Sequence, residues 1–234
     1  MRPSTVSAAS TTGGSRIALL AGASGLVGRR LLALLLASAH YRRVHVLLRR
    51  DVPDLPASPK LARHVIDFER LPELPPIDDV FIALGTTIRA AGSQAAFRRV
   101  DFDAVLKTAR AGRVAGAKRL LVVSALGADA SARVFYSRIK GEMEQAVSRL
   151  GYDSVVIARP SLLLGERAAL GQPTRLGEQW AARLLRPALP WVPRSVRPVR
   201  AEDVARAMLR AALRAEPGVL VLDSGRMHGP AALL

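Results

Sequence analysis

Tyr136 and Lys140 stand four residues apart in Phe135–Leu150, a segment whose apolar spacing predicts a helix. At that interval both side chains leave one helix face, one turn apart. A free phenol titrates near pH 10, and a neighbouring ammonium favours its ionised form. A tyrosine so placed can exchange a proton with a substrate hydroxyl or carbonyl oxygen, and the lysine can also hydrogen-bond a ribose. The plain alternative is an exposed aromatic beside a solvated lysine.

A second group lies near the N-terminus. The apolar run Arg16–Ala21 leads into Gly22-Ala23-Ser24-Gly25-Leu26-Val27-Gly28, and a helical pattern follows at once. Gly22 permits backbone angles that a Cβ would resist, Gly25 allows close approach of a pyrophosphate, and Gly28 allows tight helix–sheet packing. The opening helix then presents unpaired N–H groups and the positive end of its dipole to the anion. This is the layout of a dinucleotide site, with hydride chemistry at a nicotinamide as the partner of the Tyr136 proton.

The second predicted strand ends in Arg49-Arg50-Asp51. A carboxylate at that place holds both ribose hydroxyls of NAD, whereas a 2′-phosphate needs a cation. Arg49 is the first residue past the apolar run, and a guanidinium can clamp phosphate bidentately, so NADP(H) is favoured over NAD(H). Asp67 ends the third predicted strand, with Phe68 after it. The Asp67 carboxylate can accept from an adenine amino group or cap the next turn.

These residues need a scaffold, and strand-length apolar runs alternate with helical ones. Strands are predicted at Arg16–Ala21, Val44–Leu48, His64–Asp67, Val80–Leu84, Leu120–Ser124, Ser154–Ala158 and Val219–Leu222. Helices are predicted at Leu26–Ala39, Gln94–Ala115, Phe135–Leu150, Leu176–Leu185 and Glu202–Ala215. Such alternation implies an α/β, doubly wound, mostly parallel sheet with helices on both faces, and ligands beyond the carboxyl ends of its strands. Residues 1–15 are small and polar and read as a disordered tail, leaving 16–234 as one domain.

The net charge of +16 invites a nucleic-acid reading, but only four of the 35 cationic residues are lysines. The arginines are scattered with few interleaved aromatics, which suits compositional drift better than a nucleic-acid or membrane surface. The chain has no cysteine, so it has no disulfide and no thiolate metal site, and a reducing cytoplasm suits it. His40, His45, His64 and His228 lack metal-ligand spacing, and no metal is expected. Asp78-Asp79 read as a solvated turn, and Glu142 and Glu144 as facing water.

The glycine spacing Gly22-x-x-Gly25-x-x-Gly28 and the YSRIK segment resemble the extended or atypical branch of the short-chain dehydrogenase/reductase family. IALGTT (82–87), RVDFDAVLKTAR (99–110), LLVVSALGAD (120–129), ARPSLLLGER (158–167) and PVRAEDVARAM (198–208) add to the resemblance, which covers about residues 15–225. It implies a Rossmann fold with a small C-terminal substrate cover, near 165–200, and an oxidoreductase or epimerase activity. By it, Ala83, Leu84, Gly85 and Thr86 line the cofactor, and Arg159, Pro160 and Ser161 leave the sixth strand beside the nicotinamide. The family's catalytic serine follows the fifth strand, often within a Ser-Ser pair. Here the pair is Ser124-Ala125: either Ser124 is the orienter, or the catalytic position is Ala125, the triad is incomplete and Ser124 ends the strand and fixes the loop, with Thr86 a substitute hydroxyl. The same departure motivates the alternative of a cofactor-binding regulator with a protein partner. Trp180–Arg200, rich in arginine, lies where the family builds its cover and could either receive an anionic small-molecule substrate or form a basic surface loop. The sequence commits to no oligomeric state.

Overall fold

The computed structural model describes residues 15–164, 193 and 196–228. The expected tail, the predicted helix Leu176–Leu185 and nearly all of the expected substrate cover lie outside the described residues.

Seven strands form one sheet: β1 (Arg16–Ala21), β2 (Tyr41–Leu48), β3 (Leu61–Val65), β4 (Asp79–Ile82), β5 (Arg119–Val123), β6 (Ser154–Arg159) and β9 (Gly218–Asp223). Their order is β3-β2-β1-β4-β5-β6-β9, and every pairing is parallel. Two short strands, β7 (Leu163–Leu164) and β8 (Val199–Arg200), pair apart from it. The helices are α1 (Leu26–Ala37), α2 (Ile88–Ala91), α3 (Gln94–Arg98), α4 (Val105–Val114), α5 (Phe135–Ser148), α6 (Ala201–Arg214) and α7 (Ser224–Met227).

Successive strand residues point to opposite faces, and the core divides accordingly. Ala18, Leu20, Val44 and Val46 pack with Leu31 and Leu35 of α1 and Val204 and Met208 of α6. Leu19, Ala21, Val80 and Ile82 pack on the other face with Val105 of α4 and Met143 and Val147 of α5. Each fully buried leucine contributes roughly 1.5–3 kcal/mol. The strand order reverses between β1 and β4, which opens a crevice at their carboxyl ends.

Several elements depart from the sequence reading. β3 lies at Leu61–Val65, because its register with β2 runs from Val44 opposite Leu61 to Leu48 opposite Val65. Asp67 therefore lies beyond the strand, in a turn that its own Oδ1 caps by accepting the Glu69 N–H at 2.8 Å. β4 ends at Ile82 rather than Leu84, since its partner β1 has already turned away at Gly22. The helix expected over Gln94–Ala115 is interrupted by a π-helical turn at Arg99–Ala104. Asp79 is no solvated turn residue. It is fully buried, accepts from the Tyr41 hydroxyl at 2.6 Å and pairs with Arg119.

Candidate active site

Gly22, with φ of 92°, ends β1 beneath the chain leaving β4. A Cβ there would stand 2.5 Å from the Ala83 carbonyl carbon, so only glycine lets the two strand exits meet. A Cβ on Gly28 would collide with the Gly22 carbonyl oxygen, which lets α1 start directly over the turn. A Cβ on Gly25 would meet its own chain only at ordinary contact distances, 3.4 Å and beyond. Gly25 thus keeps the approach to the helix end clear rather than relieving a clash.

α1 begins at Gly25 with no side-chain cap and no acidic residue in its first turn. Its first N–H groups are left for an anion, with no carboxylate to repel one. Arg29, in the next turn, keeps a buried Nε with no partner among the described residues. Sequence reasoning passed over it; an arginine directly after the glycine loop, in a helix otherwise rich in leucine, was the available signal. Ala23 is buried in the core and Ser24 is exposed at the loop's tip. A pyrophosphate fits this cradle.

Arg49 and Arg50 are both exposed past the end of β2, with no hydrogen bond or ion pair to another described residue. Asp51 Oδ1 accepts the Val52 N–H at 2.9 Å. Phe68 packs partly buried against the α4–α5 core, below the capped turn of Asp67. Leu84 joins the same core, Gly85 is exposed, and the Thr86 N–H donates to Asp101 Oδ2 at 2.9 Å.

One face of α5 carries Tyr136, Lys140 and Glu144, one turn apart. The half-buried Tyr136 ring lies 5.4 Å from that of Phe97, and its hydroxyl has no hydrogen-bond partner among the described residues. Lys140 is buried, with Nζ 2.7 Å from Asp101 Oδ1 in the π turn. Glu144 is buried too, where water had been expected, because it grips the Arg159 guanidinium at the end of β6. The hydrogen bond to Glu144 pushes the Arg159 guanidinium up from its usual value. The Arg159 side chain is thus turned to α5. Glu142 is only partly buried and pairs with Arg98 at 2.6 Å.

Ser124 follows β5, buried, and its Oγ finds no partner among the described residues. A buried hydroxyl left without a bond is costly unless a ligand completes it. The loop after Ser124 is held against α5 by Gly141, where a Cβ would collide with the Asp129–Ala130 peptide. The same loop reaches β6, with the Leu126 N–H donating to the Pro160 carbonyl at 2.9 Å. Ser161 uses both of its polar groups structurally. Its N–H donates to Ser224 Oγ at 2.9 Å and its hydroxyl to the Arg197 carbonyl at 2.5 Å. Among the described residues no group of three or more His, Asp or Glu side chains could hold a metal ion. No helix among them is long and apolar enough to cross a membrane.

The structure therefore gathers the glycine loop, the β4 exit, Ser124, Tyr136 and Lys140 at the carboxyl edge of the sheet. Arg49 and Arg50 stand at the same edge, past β2. Trp180, Trp191 and most arginines of the expected cover lie outside the described residues.

Comparison with known proteins agrees with this fold. The chain is 38% identical over 195 residues to Protein HTATIP2 of Rattus norvegicus, covering 80% of this chain and 77% of that one. It is 35% identical over 210 residues to "Protein fmp52, mitochondrial" of Aspergillus fumigatus, covering 85% and 88%. The solved structure "MoeE5 in complex with UDP-glucose and NAD" shares the fold, with a TM-score of 0.66 at 22% identity, covering 88% and 74%. Residues 18–222 match the model of the NAD dependent epimerase/dehydratase family. The chain belongs to that family, and with it to the NAD(P)-dependent oxidoreductases and epimerases of the atypical short-chain dehydrogenase type.

Proposed function

We propose that the protein is an NADP(H)-dependent oxidoreductase acting on a carbonyl or alcohol carbon of a small molecule. The observation that carries this reading is the crevice itself, with an uncapped, acid-free helix end on one side and the Tyr136–Lys140 face on the other. Gly22 to Gly28 and the α1 N–H groups would hold the pyrophosphate, Arg49 and Arg50 a 2′-phosphate, and Asp67 and Phe68 the adenine side. Ala83 to Thr86 would line the middle, and Arg159, Pro160 and Ser161 would wall the nicotinamide end through their backbone.

The bound cofactor would supply or accept the hydride. Tyr136 gives its phenolic proton to the carbonyl oxygen in reduction and takes one back in oxidation. Lys140 stabilises the phenolate and hydrogen-bonds the nicotinamide ribose. Ser124 Oγ orients the substrate oxygen, which would answer its lack of a partner among the described residues. MoeE5 is named with UDP-glucose, an anionic molecule, and an anionic substrate suits this arginine-rich chain. The absence of cysteine suits a reducing compartment, and we assign the protein to the cytoplasm, although the fungal relative is named mitochondrial.

Titration with NADPH and NADH, followed by fluorescence, tests the cofactor reading. NADPH is expected to bind at least about tenfold tighter, consistent with bidentate phosphate contacts, and Arg49→Ala should erase the preference. Equal binding of the two cofactors would overturn the NADP assignment. NADPH binding with no turnover of any carbonyl in a panel of aldehydes and ketones would favour the regulatory, partner-binding alternative.

A further inference from the structure

A groove of about 300 Å³ lies between α6 and β6 with the edge strand β9. Three strands separate β9 from β1, so the groove stands apart from the glycine loop. Local sequence opens it. Ala207, Arg210, Ala211 and Arg214 fall at i, i+3, i+4 and i+7 and share one stripe of α6. At Ala207 and Ala211 only a methyl reaches toward the sheet, which leaves room above Val156 of β6 and Leu220 and Leu222 of β9. The floor is therefore apolar, and Leu220 is only partly buried although it packs on the core.

The rim is cationic. Arg210 and Arg214 line it from α6, and Arg226 of α7 lines it from the other side, with a weak hydrogen bond to the Val221 carbonyl at 3.4 Å. The Arg210 and Arg214 guanidinium groups make no hydrogen bond or ion pair to another described residue. Glu216 is the one carboxylate on the lining. Asp223 is already engaged, since its Oδ1 accepts the Arg226 N–H at 2.9 Å. Three cations and one carboxylate leave two positive charges beside an apolar floor, and like charges around one opening repel unless an anion joins them.

We propose that this groove is a binding site separate from the dinucleotide crevice, and that it takes a small phosphate monoester with an apolar body. The charge selects the head group. A phosphate monoester carries about −1.5 to −2 at pH 7 and offers three acceptor oxygens, which several guanidinium forks can share. A carboxylate brings one charge and two oxygens, and a single arginine satisfies it. The floor selects the rest of the molecule. An alkyl chain or a ring lies on Val156, Leu220 and Leu222, beneath the two alanines, and the volume admits only a short one. The site does not depend on the NADP(H) reading, and its test leaves that reading untouched.

Octyl phosphate, kept below its micelle concentration, is the probe, titrated calorimetrically with and without saturating NADPH. It should bind at least about tenfold tighter than octanoate, octanol or inorganic phosphate, with no change on adding NADPH. The double variant Arg210→Gln, Arg214→Gln should weaken it at least about tenfold and leave the NADPH dissociation constant within about twofold. Ala211→Leu, which fills the groove, should abolish binding. Should that variant fail to fold, the arginine variant decides, since neither guanidinium bonds a described residue. Equal binding of octanoate, competition by NADPH, or no effect of the arginine variant overturns the proposal. Binding of phosphatidic acid vesicles without binding of octyl phosphate would make the rim a membrane contact and overturn it. A dimer in sedimentation that the arginine variant dissociates would put a second copy over the groove, and that too overturns it.

Discussion

The two ends of the sheet bury charge in opposite ways. At the amino ends of the strands, Asp79 takes the Tyr41 hydroxyl and pairs with Arg119, and Arg16 stands 3.7 Å away. Four strands are thereby stitched together, and each Asp79 oxygen has a protein partner. At the carboxyl ends, Ser124 Oγ and Arg29 Nε are buried without partners among the described residues, α1 has no side-chain cap, and Arg49 and Arg50 bond to no other described residue. One end is chemically closed, and the other is the end to which we assign the ligand. In an open α/β sheet that asymmetry separates residues that keep the fold from residues that use it.

Tyr136→Phe gives the largest expected effect. It removes one oxygen that no described residue bonds, so Tm should stay within about a degree while the NADPH dissociation constant changes less than twofold. Turnover of a reactive carbonyl should fall by about 10²–10⁴, the range for losing a general acid. Retained turnover in steady-state assays would remove Tyr136 from the chemistry. A large loss of Tm would instead place it with the structural end.

Asp79→Ala should do the reverse. Burial pushes the Asp79 carboxyl up, against the opposing pull of Tyr41, Arg119 and Arg16, so the site is a balanced network. Deleting the carboxylate strands Arg119, which is largely buried, and such breakage costs about 3–5 kcal/mol. Calorimetry should show Tm lowered by roughly 6–20 °C. The NADPH dissociation constant of the folded fraction should be unchanged. A weakened cofactor affinity would mean that the two ends communicate.

Ser124→Ala sharpens the same division at smaller scale. Removing a buried hydroxyl that has no partner among the described residues should leave Tm level or raise it slightly, since no bond to a described residue is lost. Turnover should fall about tenfold or more if the hydroxyl orients the substrate oxygen. A drop in both Tm and turnover would show that Ser124 holds the β5 loop rather than the substrate.

Much of the open end was legible in the sequence, because its signals are local. The glycine loop, the Arg49 position just past β2 and the i,i+4 pair Tyr136–Lys140 each lie within seven residues. What periodicity could not show is which distant groups meet. Asp79 looked like a turn residue until β1, β2 and β5 were set beside it. Asp101 and Thr86 are 15 residues apart, and the π turn that joins them to Lys140 interrupts an otherwise regular helical pattern. Glu144 carried a usable signal, since it continues the Tyr136–Lys140 face by one more turn. Its partner Arg159 is a strand residue that no helical spacing could supply.

The smallest effect belongs to a pair in the sheet's outer strands, at neither closed nor open end. His45 Nδ1 on β2 and His64 Nε2 on β3 are 2.9 Å apart, and the rings stack with centroids 5.1 Å apart. Burial, then the charges of His64 and Arg43, lower the His45 imidazole below its usual value near 6.5. A histidine lowered on folding contributes stability above the unfolded pKa of about 6.5 and loses it as pH falls through the folded value. The hydrogen bond imposes the same direction, since one of the two nitrogens must accept and so be neutral. Tm should therefore decline between pH 7 and pH 5 more steeply in the wild type than in His45→Phe, by about one to two degrees. Identical slopes would show that His45 binds protons alike in the folded and unfolded chain, so that folding does not lower it. A pH-dependent NADPH affinity that His45→Phe abolishes, with Tm unmoved, would instead attach the outer strands to the open end through Arg49, four residues on from His45 and just past β2.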